Sequence, residues 1–296
     1  MSVHLINSLA RILSWLPLNA NRAIGGFLGK LAWTSNSSLR TITEINLGIC
    51  FPDMPVSQRQ LLAKNSLIET GKQLTECAWI WHRPTQQTSL KIKETVGLDL
   101  LTAAQASNKG VIVVSPHIGN WELCSLPLSA TEKFTYFYRS PRTQGMDKLL
   151  IKWRAHLGGH PASLDATGIR DALKLLKKGG TLGILPDQEP DLNSGQFAPF
   201  FNQSALTMTL LPRLAQRSGA HVLLCIAERL PGAEGWRFHI LPANPAISGA
   251  DLSEATIAMN KDVERCIEIC PAQYLWDYKR FSTCEDGSRR NYKRNE

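Results

Sequence analysis

Apolar and polar positions alternate along this chain in two rhythms, one helical and one extended. Leu5, Ile6, Leu9, Ile12, Leu13 and Leu16 recur at helical spacing with Trp15 beside them. After Pro17 the pattern repeats in Ala23, Ile24, Phe27, Leu28, Leu31 and Ala32. Ser57 and Gln60 form an S-x-x-Q capping pattern ahead of an apolar helix over residues 61–81, with Pro84 marking its stop. The β-branched run Val111–Val114, cut off by Ser115-Pro116, predicts a buried strand, and Phe134–Tyr138 a second one. Residues 167–178 predict a helix closed by Gly179-Gly180, 181–185 a strand, and 204–218 a helix ended by Gly219. Two further strands are expected over 221–227 and 236–241. Asp251 and Glu254 make a second capping pattern before a helix running to about Cys270.

Strands alternating with helices predict an α/β fold, with a mostly parallel central sheet and helices on both faces. In such sheets ligands bind beyond the carboxyl ends of the strands, so chemistry is expected just after Val114 and Leu185. The patterning divides the chain into a helical segment (1–43), a main domain (44–282) and a basic polar tail (283–296) expected to fray.

Charge changes the picture at the N-terminus. Residues 1–43 contain no Asp or Glu but carry Arg11, Arg22, Lys30 and Arg40. Three readings fit: a core-packing hairpin, an organelle transit peptide, and an amphipathic anchor lying in the plane of a membrane interface. The first and last are compatible if one face packs and the other meets lipid. No stretch reaches the roughly 18 to 20 apolar residues of a spanning helix, and no secretory signal pattern is present, so neither secretion nor spanning is expected. The net charge of +8 favours anionic partners such as phospholipid headgroups, nucleic acids or acidic proteins. No nucleic-acid-binding motif or dense Lys/Arg helix accompanies it, so nucleic acid is not an expected partner. The seven cysteines form no C-x-x-C pair, and Cys266 and Cys270 lack a histidine cluster. Reduced thiols and no metal are expected.

Candidate chemistry sits at both strand ends. The block Ser115-Pro116-His117-Ile118-Gly119-Asn120-Trp121-Glu122 follows the first buried strand. Five residues turn a regular helix by roughly 500°, so His117 and Glu122 converge only if the histidine sits in the turn and the glutamate on the first turn of the next helix. That pair suits a general base with an orienting carboxylate, acting on a hydroxyl; a helix-capping or gap-filling histidine is the plainer alternative. The second strand empties into Pro186-Asp187-Gln188-Glu189-Pro190, where Asp187 and Gln188 either order the site, bind an acceptor sugar, or form an Asx-type turn. Phe197, Pro199, Phe200 and Phe201 follow, lining an acyl groove or plugging the core. Arg139 and Arg142, then Arg154 with Lys148 and Lys152, supply cations suited to phosphate or a developing oxyanion, or simply solvated charge.

In order and spacing these motifs resemble the lipid A late acyltransferases, the lauroyl/myristoyl acyltransferase family, over roughly residues 5–282. The resemblance rests on Leu16-Pro17, Asn46-Leu47 and Cys50-Phe51-Pro52, then on the His117–Glu122 block, similar to an H-x4-D/E signature. Tyr138-Arg139, Arg154, the run from Lys178-Gly179-Gly180 to Pro186-Asp187-Gln188, Pro199-Phe200-Phe201 and Ala205-x-Thr207 continue it. Pro271-Ala272-Gln273-Tyr274-Leu275-Trp276 and Lys279-Arg280-Phe281 close it. It implies a fold like the glycerolipid acyltransferases, an acyl carrier protein thioester as donor, and a hydroxyl of a phosphorylated glycolipid (Kdo2-lipid IVA type) at the inner membrane as acceptor. His117 would be the base, Glu122 its partner and Arg154 a substrate or transition-state ligand, with Arg139, Asp187 and Gln188 binding substrate. No cofactor is implied. No Ser or Cys sits at a G-x-S-x-G elbow, so direct transfer is expected rather than an acyl-enzyme. The departures (Ser140-Pro141-Arg142 after Arg139, no Gly just after the acidic turn Asp187-Gln188-Glu189-Pro190, Ala272 for Glu) bear on the acceptor more than on the reaction. Alternatives are another acceptor lipid, such as a lysophospholipid, an ornithine lipid or a phosphatidylinositol mannoside, or a non-catalytic protein that binds anionic lipid.

Overall fold

The computed structural model describes residues 3–129, 133–139 and 145–293; Arg142 lies outside them. The helical beginning is α1 (Val3–Trp15), α2 (Leu18–Thr34), α3 (Ser38–Cys50) and the long α4 (Val56–His82). Pro17 breaks the first two apart, with φ −62° already set for the helix start. Helices α2 and α4 cross almost backbone to backbone. A Cβ on Gly29 would lie 2.2 Å from the Leu67 carbonyl oxygen, and one on Gly71 would lie 2.1 Å from that of Gly25. Only glycine permits this approach.

The remaining elements are α5 (Thr85–Ser89), β1 (Ile92–Val96), α6 (Leu98–Ala106), β2 (Val111–Val114), α7 (Ser125–Leu128), β3 (Phe134–Tyr138), α8 (Met146–Arg154), β4 (His160–Ser163), α9 (Ala166–Lys177), β5 (Thr181–Ile184), β6 (Gly195–Phe200), β7 (Gln203–Met208), α10 (Leu210–Ser218), β8 (His221–Arg229), β9 (Trp236–Pro242) and α11 (Leu252–Ile269). Seven strands form one sheet in the order β1-β9-β8-β2-β5-β3-β4, and β6 and β7 form a separate hairpin. The stretch from β8 to β4 is parallel, β9 runs antiparallel to β8, and β1 is parallel to β9. The sheet is thus mostly parallel, as the patterning predicts.

Strands β2 and β5 are buried along their whole length, which is why they read as unbroken apolar runs. Alternate residues feed two cores. Ile112, Val114, Leu182, Ile184, Leu224 and Ile226 pack with α9, α10 and α11 on one face. Val111, Val113, Leu223, Cys225 and Phe134 pack with α6 and with Trp79 and Ile80 of α4 on the other.

Several expectations need correction. The helix expected over 61–81 starts at Val56, behind Pro55, so Ser57 lies inside its first turn and caps nothing. The helix expected over 204–218 is strand β7 followed by α10, because Ala205 and Leu206 pair across the hairpin with Ala198 and Phe197. Edge strands β1 and β4 escaped prediction, since an edge needs no apolar run; β4 is only His-Pro-Ala-Ser. Helix α3 crosses the boundary placed after residue 43. The tail does not fray as far as Tyr292, which is buried; its hydroxyl donates to Asn46 Oδ1 at 2.8 Å and accepts from the Phe281 N–H at 3.1 Å. Asp251 does cap α11, accepting from the N–H groups of Ser253 and Glu254.

Candidate active site

The loop after β2 is stitched in place before any side chain acts. Gly119 takes φ +61°, and a Cβ there would lie 2.1 Å from the Ala227 carbonyl oxygen, so the loop lies flat on the end of β8. The Gly119 N–H donates to Gln273 O, the Asn120 N–H to Ala227 O, and the Leu275 N–H to His117 O. The motif near 273 is thereby explained as the clamp on this loop. Gln273 also bonds both ways with the Arg229 backbone, at 2.8 and 2.9 Å.

His117 does not meet Glu122. Its partner is Asp187, from the turn after β5: Asp187 Oδ1 lies 2.8 Å from Nδ1, and Oδ2 accepts the His117 backbone N–H at 2.9 Å. Burial alone would raise the Asp187 carboxyl, but the imidazole and these hydrogen bonds hold it below the ordinary aspartate range. An ionised Asp187 accepts a hydrogen bond from Nδ1–H and leaves Nε2 as the ring's lone-pair nitrogen. Gln188 Nε2 sits 3.3 Å from that atom. Parallel β2 and β5 are adjacent and in register from Val111↔Thr181 to Val114↔Ile184, so their following turns meet. Asp187, expected as a substrate ligand or an ordering group, is the group that orders His117 and is itself only 3% exposed.

Glu122 sits on the short 3-10 helix Trp121–Cys124 and turns to Arg154 at the end of α8. Arg154 Nε donates to Glu122 Oε2 at 2.7 Å, and Nη2 donates to Oε1, a two-pronged pair. Burial would lower the Arg154 guanidinium, but the charge and hydrogen bonds of Glu122 outweigh it and raise the pKa above the ordinary arginine value. The tighter 3-10 turn explains the correction: the chain carries Glu122 past the imidazole and leaves Trp121 edge-on against His117, with centroids 5.0 Å apart. Trp81 Nε1 donates to Glu122 Oε2 at 3.2 Å, and its ring stacks on Trp153 at 5.1 Å. No spacing rule flags Trp81, which arrives from α4.

Both pairs open on one cavity of about 690 Å³. His117, Glu122, Arg154, Arg139 and Gln188 line its polar part; Phe137, Leu164, Ile169, Met208 and Leu210 are among its apolar residues. Arg139 is largely exposed at the rim and faces Asp191 at 3.6 Å, too solvated to count as structural. Lys148 and Lys152 are exposed on α8 and do not line the cavity. The Phe200 and Phe201 rings are core plugs: Phe200 packs on Tyr274 and Phe281, Phe201 on Phe51 and Trp276. Among the described residues no cluster of His, Cys, Asp and Glu has metal-binding geometry, and no helix is long and apolar enough to cross a membrane.

An α/β chain with a carboxylate-backed histidine over a cavity that is polar at one part and apolar at another has the form of an enzyme acting on an amphiphile. The chain belongs to the bacterial lipid A biosynthesis acyltransferase family, whose profile matches residues 1–283, and is an acyltransferase. It is 30% identical over 275 residues to the lipid A biosynthesis lauroyltransferase of Escherichia coli, covering 92% of this chain and 88% of that one. With the E. coli lipid A biosynthesis palmitoleoyltransferase it shares 29% identity, over 90% and 87% of the two chains. The E. coli myristoyltransferase of the same pathway is 25% identical, over 90% and 82%.

Proposed function

We propose that this acyltransferase moves a fatty acyl group from an acyl carrier protein thioester to a hydroxyl of a lipid A precursor of the Kdo2-lipid IVA type, at the cytoplasmic face of the inner membrane. The observation that carries the reading is His117, backed through Nδ1 by Asp187 and presenting Nε2 to a part-apolar cavity. The incoming hydroxyl displaces the Gln188 amide from Nε2 and gives up its proton there as its oxygen attacks the thioester carbonyl. That attack forms the C–O bond and a tetrahedral oxyanion; collapse re-forms the carbonyl and breaks C–S, and the imidazolium gives its proton to the departing thiolate. Asp187 stabilises the imidazolium while it exists. Arg154, fixed by Glu122, supplies positive charge for the tetrahedral oxyanion or for a phosphate of the acceptor. Glu122 therefore acts through Arg154 and not through His117. Arg139 and Gln188 contact substrate at the mouth of the cavity.

The N-terminal helices serve as the membrane-associating segment. Leu9, Ile12 and Trp15 on α1 and Phe27, Leu28 and Leu31 on α2 are exposed, Trp15 by 72% and Phe27 by 65%, with Arg11 and Lys30 beside them. The fold is then that of a glycerolipid-type acyltransferase resting on the bilayer.

The test is direct. Purified protein, lauroyl-acyl carrier protein and Kdo2-lipid IVA are expected to give a product one lauroyl group heavier by mass spectrometry, and the His117→Ala variant none. Transfer by that variant at near the wild-type rate would overturn the mechanism. An acceptor of another lipid class emerging from membrane extracts would overturn the substrate.

A further inference from the structure

A second face of the molecule is strongly basic. On α9, Arg170, Lys174 and Lys177 fall at i, i+4 and i+7 and point to solvent, while Gly168, Ala172 and Leu176 bury the opposite stripe. On α10, Arg213 and Arg217 fall at i, i+4 and are exposed, above buried Leu211, Leu214 and Ala215. The two helices pack against each other, so the stripes form one surface. It carries five cations and one anion, Asp171, which is half of the chain's net +8 concentrated on two helices. Asp171 pairs with Lys174 at 3.4 Å, and no ion pair involves Arg170, Lys177 or Arg217 among the described residues.

The surface touches the site. Ile169, next to Arg170, lines the cavity, and so do Leu210 and Arg213 of α10. It also lies on the opposite layer from the apolar helices. Helix α1 packs on α4 and α8 through Ala10, Ala78 and Trp153, whereas α9 and α10 cover the other face of the sheet. None of the large apolar side chains exposed on α1 and α2 has a counterpart on α9 or α10. A face that is charged without being greasy suits an acidic protein more than a bilayer.

We infer that the acyl-carrying donor protein docks on the α9–α10 surface and feeds its thioester arm past Arg213 into the cavity, while the lipid acceptor enters from the α1–α2 side. This rests on the carrier-protein donor proposed above and adds where it binds. Rim cations of this kind set the encounter rate and its salt dependence more than the chemical step.

The experiment compares the wild type with Arg170→Glu/Lys177→Glu/Arg217→Glu, using lauroyl-acyl carrier protein at low ionic strength. The KM for the carrier is expected to rise by about tenfold or more, kcat at saturation to hold within about twofold, and the salt dependence of kcat/KM to flatten. The corresponding triple glutamine variant is expected to move the same way by less, which separates lost attraction from misfolding. Unchanged KM in both variants overturns the inference. So does selective loss of binding to phosphatidylglycerol vesicles with KM intact, which would make this face a membrane contact. A wild-type protein that uses lauroyl-coenzyme A but not the carrier thioester overturns the donor reading itself, and the docking surface with it.

Discussion

Asp187 grips His117 at two points, taking the backbone N–H on one carboxylate oxygen and ring Nδ1 on the other, at 2.9 and 2.8 Å. The carboxylate thus fixes where the histidine is, which way its ring turns and which nitrogen is basic. Asp187→Asn keeps the shape but offers an amide in place of one acceptor oxygen, which favours the wrong imidazole tautomer. Steady-state acyl-transfer assays are expected to show kcat falling by about 10³-fold or more with KM changed little. Near wild-type kcat in this variant would show that the pair is architectural.

The same carboxylate ties stability to pH. Asp187 is held below its ordinary pKa, and so is Glu76, where burial is overcome by Arg229, Arg22 and Asn120. A depressed acid stabilises the fold at pH values above its unfolded pKa, and that contribution disappears as pH falls through the folded value. Urea unfolding at stepped pH is therefore expected to show stability falling below the ordinary carboxylate range near pH 4. The gap between wild type and Asp187→Asn should be widest at neutral pH and close in acid. A gap that stays constant down to pH 2 would contradict the assignment.

Arg154 and Glu122 form a unit with Trp81 as its third member. Arg154→Ala leaves Glu122 almost buried without a counter-charge, so both activity and folding are expected to suffer. Arg154→Lys restores a charge but not the two-pronged geometry, and is expected to rescue stability more than kcat. Trp81→Phe removes the 3.2 Å hydrogen bond and part of the indole's packing but keeps a ring against Trp153. Its expected cost is about 1 kcal/mol or a several-fold drop in kcat, read by chemical denaturation and by the transfer assay. An activity loss in Trp81→Phe as deep as that of Arg154→Ala would mean that Trp81 touches substrate.

Sheet and strand ends were legible because buried parallel strands write themselves as apolar runs: Val111–Val114 and the run before Pro186 located the edge that carries the candidate site. Which carboxylate serves His117 was not legible. Glu122 is near in sequence and Asp187 is 70 residues away, and adjacency of β2 and β5 is a long-range fact that periodicity along one segment does not carry. Residues 204–218 misled for a related reason: a short apolar run ahead of a helix reads as helix until a hairpin partner, here β6, competes for its hydrogen bonds. The buried cluster of Arg22, Glu76 and Arg229 was invisible too, since Arg22 reads as one more cation of a basic segment. In the fold, Arg22 Nε lies 2.6 Å from Glu76 Oε1, and Glu76 Oε2 accepts from Asn120 of the His117 loop at 2.9 Å.

That cluster depends on how closely α2 and α4 approach, which glycine controls. Gly71→Ala would put a Cβ 2.1 Å from Gly25 O and 2.9 Å from Gly29 N, both backbone atoms, so the helices must separate. Separation lengthens the Arg22–Glu76 contact as well as loosening packing. The expected loss is about 3 kcal/mol, at the upper end for overpacking, or about 6 °C or more in Tm for a chain of this size. Gly48 on α3 is the control: a Cβ there meets nothing within 4 Å. Gly48→Ala is expected to be neutral or to raise stability by about 0.5–1 kcal/mol through helix propensity and a less flexible unfolded chain. Calorimetry on the two variants checks both signs at once, and equal Tm shifts in the same direction would show that the α2–α4 contact has room for a methyl group.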